Sequence, residues 1–195
     1  MYAFDVYVGK CNQDIHTELG TGGDVVMKLI QKANVTADAG YRLHFDNYFT
    51  SFKLLNHLGS AGICATSTVR ENRLLNCPLA KRKTFKKQPK WSSNLTLTST
   101  VCVMKYKDNN VVTIASNFNS PIIGTSQKYS AEVKSYISIP QPTALQNYNL
   151  YMGGVDLIDQ LVASDCTQMR QKWLWPISIH FIEVVVVNSC TDIYQ

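Results

Sequence analysis

The sequence contains no C-x-x-C pair, no secretory-signal pattern in its first ten residues, no internal repeat and no unbroken apolar run long enough to cross a bilayer. Each absence removes a class of protein. The cysteines, Cys11, Cys64, Cys77, Cys102, Cys166 and Cys190, are scattered along the chain, so a zinc site built by this chain alone is not expected. Their even number would suit disulfides, but "MYAFDVYVGK" has neither the basic start nor the apolar centre of a secretory signal. A reduced, intracellular chain is the expectation. The most apolar stretch, Trp175 to Cys190, is interrupted by His180 and Glu183, which predicts a buried helix and no membrane span. Low-complexity tracts are missing as well, and 45% hydrophobic residues in a chain of 195 predict one globular domain, or one domain carrying an insertion.

Negative charge is nearly absent where positive charge is densest. Arg70, Arg73, Lys81, Arg82, Lys83, Lys86, Lys87 and Lys90 are eight of the nineteen basic residues, and Glu71 alone opposes them in that stretch. Such a block is either a solvated loop or a segment that contacts phosphates.

Around this block the pattern alternates. Residues 2–8 and 41–45 have the period-two spacing of strands, and 62–69 ("GICATSTV") reads as a third. Between them, Val25, Val26, Leu29 and Ile30 predict a helix over 24–33 capped by Asp24, and a second helix is expected from about Ser51 to Leu58. This is an α/β order. After the basic block, 95–106 and 111–118 read as two β-rich runs joined by the turn "KDNN". They predict a β-containing insertion. From Pro140 helix returns, and after Gly153-Gly154 the run "VDLIDQLVA" places Asp156 and Asp159 on one helical face.

Three acidic residues carry competing readings. Asp46, in "YRLHFDNYFTS", follows a strand and precedes a helix; it caps that helix, as Asn47, Thr50 or Ser51 also can, or it holds a metal ion at the carboxyl end of a sheet. Asp156 and Asp159 either face the positive end of their helix dipole or supply further ligands. A strand-terminal Asp, a helix-opening Asp and a basic segment between them are what metal-dependent phosphoryl transfer requires.

"YRLHFDNYFTSFKLLNHLGSAGICATSTVRENR", "YNLYMGGVDLIDQL" and "KWLWPISIHFIEVVVVNSCTDIY" together resemble the transposase domain of the piggyBac superfamily. The resemblance covers nearly the whole chain and is weakest through the insertion. It implies a ribonuclease-H-like DDE transposase that cuts and joins DNA at TTAA targets with two divalent ions, Mg²⁺ or Mn²⁺. One ion activates the attacking oxygen and the other stabilises the leaving oxygen. Asp46 matches the family's second catalytic aspartate, Asp156 its third, and Asp159 an acidic position beside it. Asp46 and Asp156 are therefore the expected metal ligands, and Arg70, Arg73, Lys81, Arg82, Lys83, Lys86, Lys87 and Lys90 the expected DNA contacts.

The resemblance also marks departures. "MYAFDVYVGK" matches the family's second core strand, so Asp5 does not stand at the first catalytic position, and that aspartate has no counterpart here. The fold implied is an α/β, ribonuclease-H-like core lacking its first strand, with a β-rich insertion: residues 1–69 as the first part of the core, 70–139 as the basic insertion, 140–195 as the closing helical part. Inner sheet edges left open would invite association, including a homodimer. Asp165 adds negative charge in a run that keeps Arg170, Lys172 and Trp173. The expectation is a nuclear, transposase-derived fragment that does not cut DNA. A domesticated DNA-binding or chromatin-associated protein and a decayed gene fragment are the alternatives.

Overall fold

The computed structural model describes residues 18–74, 77–118, 121–164 and 174–193. The predicted strand at 2–8, Asp5, and the run holding Asp165, Arg170, Lys172 and Trp173 lie outside the described residues. The chain divides into two compact units, Tyr2–Leu150 and Tyr151–Gln195.

The first unit is built on a five-stranded mixed sheet. Strand β1 (Arg42–Phe45) runs parallel to β2 (Cys64–Thr68). The helix α2 (Phe52–Ser60) lies between them in sequence, which is the connection that a parallel pair needs. Strands β3 (Ser93–Leu97), β4 (Cys102–Lys107) and β5 (Val111–Ser116) continue the same sheet with antiparallel pairing, in the order β1-β2-β5-β4-β3. The segment expected to form an insertion thus contributes three strands to the sheet that carries β1. Its first run divides in two because Thr98 closes a turn with Val101: the backbones pair at 2.9 Å and the Thr98 hydroxyl also engages Val101.

Period-two alternation gives each face its own core. Ala65, Val103 and Ala115 join Leu54, Leu55 and Leu58 of α2 and Val26 and Ile30 of α1 (Gly20–Lys32). On the opposite face, Cys102, Met104, Tyr106 and Ile114 pack with Ala144, Leu145 and Tyr148 of a later helix, Thr143–Tyr151. Burial of the Leu54, Leu55 and Leu58 side chains contributes about 1.5–3 kcal/mol each.

Helix α1 starts four residues before the predicted Asp24 cap, which leaves Asp24 inside the helix. Within α1, Gly22 serves close packing. A Cβ on Gly22 would lie 2.9 Å from the Phe49 Cα and from the Tyr48 carbonyl oxygen, so only glycine fits against that turn.

After a short helix α3 (Arg82–Phe85), whose Phe85 is buried, the remaining elements of this unit are a hairpin of β6 (Ile123–Ser130) and β7 (Ser135–Pro142) and then α4 (Thr143–Tyr151). Helix therefore begins at Thr143 and not at Pro140; Pro140 and Pro142 end a strand, where a missing N–H is tolerated.

In the second unit α5 (Gly154–Ser164) packs with α6 (Leu174–Ile193). The buried helix expected from Trp175 forms, but only part of it is covered. Val184 is buried while Ile182, Val185 and Val186 are exposed, because apolar residues surround this helix and one partner helix covers one stripe. Among the described residues no helix is long and apolar enough to cross a membrane.

Candidate functional site

The parallel register places Asp46. Phe45 is opposite Ser67, so the next residue on each strand, Asp46 and Thr68, meet at the carboxyl ends of β1 and β2. The Thr68 hydroxyl donates to Asp46 Oδ1 at 3.1 Å. A second donor to the same oxygen is Asn47 Nδ2, at 2.9 Å. No described residue donates to Asp46 Oδ2, and the side chain is exposed. The carboxylate thus has one anchored and one open oxygen.

Helix capping does not account for this residue. The cap of α2 is Ser51, whose hydroxyl accepts from the Leu54 N–H at 3.1 Å. Toward the α2 start Asp46 offers its backbone carbonyl, accepting from Phe49 N–H and from the Thr50 hydroxyl at 3.0 Å.

Arg70 and Arg73 lie just beyond β2 and reach back to the same turn. Arg70 Nε donates to Asn47 Oδ1 at 2.7 Å. Arg73 Nη1 donates to the carbonyls of Asn47, Tyr48 and Thr50 at 2.9, 2.5 and 3.1 Å. Both arginines hold the Asp46 turn by side-chain hydrogen bonds, Arg70 from an exposed position and Arg73 from a half-buried one.

Behind Thr68 stands Tyr148 of α4, its hydroxyl 3.5 Å from the Thr68 hydroxyl, at the outer limit of hydrogen bonding. Burial raises the Tyr148 phenol above its ordinary pKa; the Thr68 hydrogen bond opposes this and the Asp46 charge adds to it. The phenol therefore keeps its proton, and either hydroxyl can be the donor in the Tyr148–Thr68 contact. His44, two residues before Asp46 on the same strand face, packs with its ring centroid 6.3 Å from that of Tyr148. Burial, followed by the nearby Arg42 charge, lowers the His44 pKa and favours the neutral ring.

Lys81, Arg82, Lys83, Lys86, Lys87 and Lys90 are all exposed and make no ion pair with a described residue. Buried Phe85 anchors α3, which carries Arg82 and Lys83, and all six cations face water. Glu71, the acid of this stretch, does not neutralise them. It pairs with Lys105, a lysine buried in β4 that also donates to the Ala80 carbonyl.

In the second unit Asp156 lies in the first turn of α5 and Asp159 one turn on, both exposed. Carboxylates are the hard oxygen donors that Mg²⁺ and Mn²⁺ take, so Asp46, Asp156 and Asp159 fit such an ion by type. Among the described residues no three His, Cys, Asp or Glu side chains cluster as a ligand set. Thr68 and Tyr148 were not singled out by sequence reasoning, and Asn47 was named only as an alternative cap. The signal that finds Thr68 is the offset of 22 between paired strand residues, which only the register reveals.

Comparison with known proteins gives the family and the fold. Residues 1–190 match the family model described as Transposase IS4. The chain belongs to that family, as a piggyBac transposase-derived DDE transposase domain covering nearly the whole sequence. It is 31% identical over 192 residues to human piggyBac transposable element-derived protein 3, a match covering 95% of this chain and 32% of that protein. Against human piggyBac transposable element-derived protein 2 it is 31% identical over 176 residues, covering 88% of this chain and 30% of the relative. The chain thus spans about a third of the length of these relatives. Its mixed α/β fold matches a piggyBac transposase solved by cryo-electron microscopy as a synaptic complex with hairpin DNA. The TM-score is 0.69 at 20% identity, over 94% of this chain and 36% of the other.

Proposed function

We propose that these 195 residues form a DNA-binding domain that takes up a divalent cation at Asp46, with Asp156 and Asp159 as further ligands, and holds DNA without cutting it. The observation that carries this reading is the Asp46 carboxylate. It stands at the carboxyl end of a parallel strand pair, its Oδ1 is held by Thr68 and Asn47, its Oδ2 is open, and the helix cap it was suited to is made by Ser51. Asp46, Asp156 and Asp159 would hold the ion; in the complete two-ion chemistry one ion would activate an attacking oxygen and a second would stabilise the leaving one. The chain's own share is to fix the direction of that carboxylate and to draw phosphate to the exposed cations of 81–90. The ribonuclease-H-like core, the TTAA target, nuclear location and pairing with a second copy belong to the same proposal.

On this reading cleavage is not expected, because Asp5 matches the family's second core strand and does not stand at the first catalytic position. Loss of one ligand from a two-ion site removes several kcal/mol of transition-state stabilisation, at about 1.4 kcal/mol per tenfold in rate. The test is strand cleavage of a duplex carrying TTAA-flanked transposon ends, with Mg²⁺ or Mn²⁺, beside a binding assay on the same duplex. Binding without cleavage agrees with the proposal. Cleavage that disappears in both Asp46→Asn and Asp156→Asn shows a complete site and overturns it. The exposed cations of 81–90 favour a second reading, a domesticated DNA-binding or chromatin-associated protein. In that case DNA affinity is unchanged by Mg²⁺ and by Asp46→Asn.

A further inference from the structure

We propose that Thr68 and Asn47 are positioning residues for the Asp46 carboxylate, each steadied by a residue behind it: Tyr148 behind Thr68 and Arg70 behind Asn47. This rests on the reading of Asp46 as a metal ligand and adds to it the groups that aim the ligand.

A free carboxylate on an exposed side chain rotates about its terminal torsion, which is broad and two-fold. A cation then meets its two oxygens in many orientations. Here both donors converge on one oxygen. Thr68 reaches it at 3.1 Å and Asn47 at 2.9 Å. The opposite oxygen is thereby turned to the open side.

Each donor is itself directed. A threonine hydroxyl has one hydrogen and accepts through its lone pairs. With that hydrogen on Asp46, Thr68 is the acceptor toward the protonated Tyr148 hydroxyl 3.5 Å away. The Asn47 amide is oriented in the same way: Arg70 Nε, a pure donor, meets its Oδ1 at 2.7 Å, which sets the amide so that Nδ2 faces Asp46. The two arms come from different parts of the chain. One joins the ends of two neighbouring parallel strands and reaches the helix α4. The other joins the residue after Asp46 to the segment after β2. Outer groups that orient a ligand in this way typically change metal affinity about 10- to 100-fold when removed.

The experiment measures Mn²⁺ affinity of the full chain by electron paramagnetic resonance of the free ion, together with the thermal unfolding midpoint of each variant. Thr68→Val keeps the β-branched shape and removes the hydroxyl. Thr68→Ser restores the hydroxyl. Asn47→Ala removes the second donor, and Asp46→Asn defines which binding belongs to the site. The expected result is Mn²⁺ binding that is lost in Asp46→Asn, about tenfold weaker in Thr68→Val and in Asn47→Ala, and near wild type in Thr68→Ser, with the Thr68→Val and Thr68→Ser midpoints alike. Wild-type affinity in both Thr68→Val and Asn47→Ala, with loss in Asp46→Asn, overturns the positioning role and leaves Asp46 a ligand. Equal weakening in Thr68→Val and Thr68→Ser also overturns it, because the hydroxyl is then not the cause. Absence of any Asp46-dependent binding overturns both this inference and the reading beneath it.

Discussion

Replacing Arg73 with Met separates a structural clamp from a DNA contact. Met keeps much of the apolar stem and removes the guanidinium. In the folded protein Arg73 Nη1 serves three carbonyls, those of Asn47, Tyr48 and Thr50, and Thr50 is fully buried. A hydrogen bond from a charged donor contributes about 1.5–3 kcal/mol. One nitrogen with two hydrogens does not make three independent bonds, so the contributions are not additive. The expected loss is about 2–4 kcal/mol, the value of one to two such bonds. For a chain of this size that lowers the unfolding midpoint by roughly 5–15 °C. The assay is thermal unfolding followed by circular dichroism, paired with DNA affinity measured well below the transition. A wild-type midpoint together with a clear fall in DNA affinity would refute the clamp and assign Arg73 to phosphate.

The exposed cations behave differently. Changing Lys81, Arg82, Lys83, Lys86 and Lys87 to Gln should leave the unfolding midpoint within a degree or two of wild type, since surface substitutions move stability by only about 0.5 kcal/mol. The same change should flatten the plot of log affinity against log salt by about 4.5, near 0.9 per phosphate contact; an unchanged slope marks the segment as a solvated loop. Gly22→Ala, although alanine favours helix by about 1 kcal/mol, should destabilise the chain in urea unfolding, because the new Cβ meets the Tyr48 and Phe49 backbone. Burial, with Asp108 adding to it, raises the Tyr106 phenol, whose hydroxyl donates to the Pro140 carbonyl at 2.9 Å. The unfolded chain therefore ionises first at this residue. Its contribution to stability is present below the ordinary tyrosine pKa of about 10 and declines as pH rises through the raised folded value. Tyr106→Phe should weaken that alkaline dependence in unfolding measured between pH 9 and 11.

What the sequence disclosed followed from local pattern. The strand ending at Phe45, the helix capped by Ser51, the strand through Thr68 and the helix bearing Asp156 each have a periodicity or cap that short-range physics reads directly. Elements whose signal was weak or conflicting were misplaced. Helix α1 runs through "GTGG" because close packing on the 48–49 turn outweighs the helix cost of glycine. Strands β6 and β7 are rich in Ser, Thr, Gln and Pro and so give little hydrophobic contrast. The polar partners of Asp46 were unreadable for another reason. Thr68 is 22 residues away and Tyr148 is 80 from Thr68, and no periodicity in the chain encodes a strand register or the helix that packs across it. Arg73 shows the same limit: from sequence it was one cation in a basic block, and its three carbonyl partners exist only once the turn after β1 has closed.

The proposal that Asp46 and Asp156 hold one divalent ion has a direct test. Fe²⁺ substituted for Mg²⁺ generates hydroxyl radicals at its own position when ascorbate and peroxide are added, and the radicals cut the polypeptide nearby. The account predicts cuts close to Asp46 and close to Asp156 in the same sample, both suppressed by excess Mg²⁺ and both lost in Asp46→Asn. Cuts near only one of the two aspartates, or a pattern that Asp46→Asn leaves unchanged, would contradict it.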